Sequence, residues 1–128
     1  MRKLIKLLLK DNIFFIAISS AIIIGILSLI QVPESPIKIS YFDKVYHAIA
    51  YFMLALTWLL SFPESRNKKN LKYAIAFGCV FYGIIIEVLQ TTLTTYRTAS
   101  FLDVVANTVG VFLALLIFKS IYKKINAI

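Results

Sequence analysis

The sequence predicts an all-α integral membrane protein: a four-helix bundle, N-in and C-in, with short loops. Three observations carry this. Hydrophobic residues make up 60% of the chain and the mean hydropathy is +0.85, where a soluble domain is only about half apolar. The excess is gathered into four blocks instead of being spread along one amphipathic face. The basic residues lie at the ends of those blocks, and mostly at one set of ends. With 128 residues, the length suits a single domain covering the whole chain.

Residues 1–12 place Arg2, Lys3, Lys6 and Lys10 at near-helical spacing, with Leu4, Leu7 and Leu8 between them. This is a basic lead-in suited to an anionic membrane surface. Residues 13–30 then run 18 residues without a charge. At about 1.5 Å per residue this stretch crosses most of a hydrocarbon core of roughly 30 Å. It is longer than the apolar part of a signal peptide, and no small-x-small cleavage pattern follows it, so a retained span is expected. Pro33 and Pro36 mark residues 31–42 as a loop. The second span is 45–62, followed by the polar basic loop 63–70. The third is 71–93, the loop 94–100 carries Arg97, the fourth span is 101–118, and a basic tail closes the chain.

Charge then sets the expected orientation. Eleven of the 14 Lys and Arg residues fall in the N-terminal lead-in, the 63–72 segment and the tail. Only Lys38, Lys44 and Arg97 fall on the other side. The positive-inside rule places both termini in the cytoplasm. The net charge is +8, but the basic residues flank apolar blocks and do not form a stripe, so nucleic acid is not an expected partner. The lone Cys79 lies in an apolar run and is expected to pack as a small core residue.

With this topology the intramembrane polar residues share one height. Asp43, Lys44, His47 and Tyr51 lie in the first turns of the second span, Glu87 and Gln90 in the last turns of the third, and Asp103 and Asn107 in the first turns of the fourth. Asp43, His47 and Tyr51 are spaced by four, Glu87 and Gln90 by three, and Asp103, Asn107 and Gly110 by four and three. Each set therefore shares one helix face. An ionisable group facing lipid costs several kcal/mol, so these faces should turn toward one another or toward a wet cleft. Gly83 and Gly110, on the same faces, would let backbones approach closely.

The strings DKVYHAIAYFML, FYGIIIEVLQ and YRTASFLDVVANTVGVFL, in that order, resemble the VanZ-like membrane protein family. The resemblance covers roughly residues 41–118. It places the family's polar positions at Asp43, Lys44, His47, Tyr51, Glu87, Gln90, Arg97, Asp103, Asn107 and Gly110. It implies a bacterial cytoplasmic-membrane protein, and a link to low-level resistance to the lipoglycopeptide teicoplanin. The loop TTLTTYRTAS lacks the proline and glycine that often precede the family's arginine.

Three functions are weighed on these residues. The leading one is a membrane protein that binds an amphiphile through the outer-leaflet polar layer. The ligand would be a phospholipid head group, a lipid-linked wall precursor or a lipoglycopeptide. Lys44, His47 and Arg97 would meet phosphate or carboxylate, and Asp43, Tyr51, Glu87, Gln90, Asp103 and Asn107 would complete the site. The second is a membrane enzyme using Glu87 or His47 as acid or base. The third is an accessory subunit in which the layer only locks helices together. Several bland pairings are also open: His47 with Asp43, Glu87 with Arg97 or Lys44, Asp103 with Arg97 or as part of a helix cap beside Ser100, and Gln90 and Asn107 as interhelical hydrogen bonders. No HExxH, paired-aspartate or nucleophile-elbow motif is present. No cofactor or metal is expected from motifs, although one histidine with nearby Asp and Glu could hold an ion.

Overall fold

A computed structural model describes residues 2–30, 42–93 and 101–127. These form four α-helices: α1 (Arg2–Leu29), α2 (Phe42–Ser61), α3 (Lys69–Leu93) and α4 (Phe101–Ala127). A short 3-10 turn, Pro63–Arg66, joins α2 to α3. No strand occurs among the described residues. The expected loops at 31–41 and 94–100 lie outside them.

Each helix contains an apolar window long enough to cross a bilayer: Asn12–Leu29, Lys44–Ser61, Lys69–Leu93 and Phe101–Ile125. The protein is a multi-pass membrane protein. At both termini the helix runs past the expected span. The basic lead-in is not separate from the first span; α1 is continuous from Arg2. The C-terminal tail likewise continues α4 to Ala127. Leu, Lys and Arg are good helix formers, neither segment contains Gly or Pro, and extending a helix costs far less than starting one.

Successive helices alternate in direction, which brings α2 and α4 into parallel alignment. Lys44 of α2 meets Asp103 of α4, and His47 meets Asn107. α2 and α4 form the centre of the bundle. Leu54, Ala55 and Leu59 of α2 and Val111, Ala114 and Phe118 of α4 are almost fully buried. Gly110 permits this approach: a Cβ there would overlap the Ala48 carbonyl oxygen and lie 2.9 Å from the Phe52 nitrogen. α1 is the peripheral helix. In its membrane window only Ala17 is buried, while Phe15, Ile22, Ile23, Ile26 and Leu27 are exposed. Similar apolar rows cover α3 (Phe77, Phe81, Val88) and α4 (Phe101, Phe112, Leu116). That surface suits a lipid solvent and would be an aggregation hazard in water.

The two ends of the bundle differ. At the end holding the termini, Trp58 stacks on Phe62 and takes the edge of Phe14. Arg66 lies 4.4 Å above the Tyr122 ring. The 3-10 turn is held by Ser65, which is buried and donates its hydroxyl to the Leu59 carbonyl at 3.4 Å. At the far end, the polar residues meet.

Gly110→Ala is expected to destabilise the bundle by about 3 kcal/mol, at the upper end of overpacking costs. The obstacle is backbone, which cannot swing aside. Gly78→Ala, where a Cβ meets nothing within 4 Å, should be neutral or slightly stabilising. Denaturant unfolding of the two variants in detergent checks this, and equal stability would contradict it.

Candidate functional site

α2 enters at the far end and carries Lys44 and His47 in its first two turns, with Tyr51 one turn further. α4 enters beside it, so that Asp103 and Asn107 occupy matching heights. α3 arrives at the same end with Glu87 and Gln90 in its last two turns. Because these residues recur every three or four positions, each helix presents them as one row. The three rows face inward. Glu87 is 3% exposed, Gln90 3%, Asn107 2% and Asp103 7%.

The contacts form a connected knot. The Lys44 ammonium pairs with Asp103 Oδ1. The His47 ring stands beside both α4 residues. Its Nδ1 lies 3.2 Å from Asn107 Oδ1 and its Nε2 lies 3.8 Å from Asp103 Oδ2. The second distance is too long for a hydrogen bond. The amide oxygen of Asn107 can only accept, so Nδ1–H is the donor in the short contact, and Nε2 is the ring nitrogen that faces Asp103. One His47 ring nitrogen and one carboxylate oxygen each from Glu87 and Asp103 lie within 4.8 Å of one another. Asn107 Nδ2 is buried and has no hydrogen-bond partner among the described residues.

Small residues make room for this. A Cβ on Gly83 would meet Asn107 Nδ2 and Tyr51 Cε1, both at 3.0 Å. Gly83 therefore lets α3 close over the amide and the phenol ring. Tyr51, 2% exposed, forms the floor of the knot beside Tyr82.

α1 joins through its backbone. Gln90 Nε2 donates to the Ser28 carbonyl at 2.8 Å, and the Tyr82 hydroxyl donates to the Ala21 carbonyl. Ser28 lies in the last turn of α1, where carbonyls have no helical partner. Gln90 therefore acts as a cap supplied by another helix. Between α1 and α2 runs a groove of about 190 Å³. Ile24, Leu27 and Ala50 make it apolar, and Tyr46 and His47 form its polar edge.

The residues read from the sequence thus assemble. Lys44 is a partner of Asp103, and His47 contacts Asn107 and Asp103 of α4. The pairings with Arg97 and Asp43 fall on groups that are not described. Gln90 and Asn107 are interhelical hydrogen bonders as expected. Arg97, Ser100 and the Asp43 side chain lie outside the described residues. Sequence reasoning missed Ser28 and Ala21, because a backbone carbonyl carries no residue signature. It also missed Tyr82, whose neighbours in the string are all apolar or glycine.

A family model described as VanZ/LLP1 matches residues 3–122. The "Uncharacterized protein C11E3.10" of Schizosaccharomyces pombe (strain 972 / ATCC 24843) is 39% identical over 85 residues. The aligned region is 66% of this chain and 50% of that protein, so it spans about half of the relative's length. No solved structure matches the chain.

The Lys44–Asp103 pair should behave as a desolvated ion pair. Lys44→Met leaves a buried carboxylate without its cation and should cost about 2 kcal/mol, discounted because Lys44 keeps partial exposure. The double variant Lys44→Met/Asp103→Leu should recover most of that loss. A double-mutant cycle in detergent measures the coupling, and additive losses would contradict the pairing.

Proposed function

The chain belongs to the VanZ/LLP1 family, and on that footing we propose that it binds an anionic amphiphile, head group at the polar knot and chain along the α1–α2 groove. The observation that carries this reading is the shared wall. His47 belongs both to the knot and to the apolar groove. A ligand lying there would meet polar groups and hydrocarbon at once. Lys44 and His47, with side chains 25% and 16% exposed, are the partly accessible members of the knot.

The positive-inside distribution supports both termini in the cytoplasm and the knot at the level of outer head groups. In a bacterial cytoplasmic membrane the candidates are a phospholipid, a lipid-linked wall precursor or a lipoglycopeptide, the last connecting to teicoplanin resistance. The resemblance to a fission-yeast protein favours a ligand common to both kinds of membrane, and an anionic phospholipid is the simplest. Arg97, on the same side in the sequence, would be a further phosphate contact.

A second reading has its own support. Glu87, Gln90, Asp103 and Asn107 are almost wholly buried, as they would be in an accessory subunit whose polar layer serves only to hold helices together. An acid or base role for Glu87 or His47 would require a substrate to reach that depth.

The two are separated by lipid retention, measured by native mass spectrometry on protein released from mixed micelles. Phosphatidylglycerol should be retained several-fold over phosphatidylcholine. Ala50→Phe, which fills the groove, and Arg97→Ala should each reduce that preference without lowering thermal stability. No head-group preference in the wild type, or a preference untouched by both substitutions, would favour the purely structural reading.

A further inference from the structure

Three ligating groups from three helices converge in the knot, and two details of their setting are not explained by helix packing alone. We propose that His47 Nε2, Glu87 and Asp103 Oδ2 form a binding site for a divalent zinc-class metal ion. This is independent of which amphiphile the groove accepts.

The first support is the donor set. One imidazole nitrogen and two carboxylate oxygens lie within 4.8 Å of one another. Donors around one zinc ion at about 2.1 Å lie roughly 3–4 Å apart, so a shift of about 1 Å gathers the set. A mixed nitrogen and oxygen set with imidazole suits zinc and its first-row neighbours better than magnesium or calcium.

The second support is orientation. The Nδ1–H contact to Asn107 Oδ1 at 3.2 Å turns Nε2 toward Asp103 Oδ2, 3.8 Å away. That gap is too long for a hydrogen bond and is one that a cation between the two atoms would bridge. Metal-bound histidines are held in this way, with the second ring nitrogen donating to an oxygen. Asp103 is oriented likewise. Its Oδ1 is taken by Lys44, so Oδ2 is the oxygen turned to the histidine.

The third support is Asn107 Nδ2, a buried donor with no partner among the described residues. An amide nitrogen does not ligate a metal. It would donate to a water, or to a second oxygen of a phosphate, held next to the ion.

Nothing in the local sequence announces such a site. Its residues are separated by 40 and 16 positions along the chain and fit no ligand-spacing motif.

The test uses the full chain purified in detergent, with zinc chloride as the probe. The chain has a single histidine, so 15N-histidine labelling reports on this one ring. The metal-free protein should show a neutral ring protonated on Nδ1. One equivalent of Zn2+ should shift the Nε2 resonance, and one ion per chain should survive desalting. Glu87→Gln and Asp103→Asn should each weaken binding at least tenfold. An Nε2 resonance unmoved by stoichiometric Zn2+, or a ring already protonated on both nitrogens at neutral pH, would overturn the proposal. That readout is taken on the unmodified protein, so it decides even if a variant fails to fold.

Discussion

A charged side chain inside a bilayer must bring its own solvent, and the pairing of Lys44 with Asp103 answers that demand. The cost of leaving either group alone in hydrocarbon is several kcal/mol. The pair therefore ties the entry of α2 to the entry of α4 and sets their register. Once Lys44 and Asp103 meet, His47 and Asn107 fall opposite each other one turn below, and Gly110 falls against the α2 backbone. The absence of a side chain at Gly110 converts a polar contact at one end into close packing through the centre. Replacing the pair with apolar residues would keep the bundle apolar, but would remove the feature that fixes which turns align.

The remaining helices are added to this core by weaker means. α3 contributes Glu87 and Gln90, and closes over Asn107 because Gly83 leaves space. α1 exposes most of its apolar surface, and it meets the bundle through Phe14 against Trp58 and Phe62 and through hydrogen bonds to its backbone from Tyr82 and Gln90. Such bonds are worth about 1 kcal/mol or less each in a membrane. The groove invoked in the proposed function lies between α1 and α2.

Much of this was legible in the string. Charge-free blocks and proline-bearing gaps give the spans, and three- and four-residue steps give the inward faces of α2, α3 and α4. The sequence could not show who meets whom across helices. For Asp103, Lys44 and Arg97 were equally open partners in the string, because both are basic and both sit near the same end. Spacing within a helix is a local property, whereas partner choice depends on packing distance, which here is decided by glycines and by α2–α4 contact. The role of α1 was illegible for a different reason: its contributions are main-chain carbonyls. At both termini the helix continues past the span, since basic residues end an apolar block without ending a helix.

The central claim is that the rows on α2 and α4 meet in a buried polar layer. Dipolar-recoupling solid-state NMR in lipid bilayers tests it directly, with 15N-histidine and 13C-asparagine labels. Among the described asparagines Asn107 stands beside His47, so a strong coupling between the ring nitrogen and a side-chain asparagine carbon is predicted. A histidine ring with no asparagine coupling, exchanging freely with water or averaged by motion, would contradict the account.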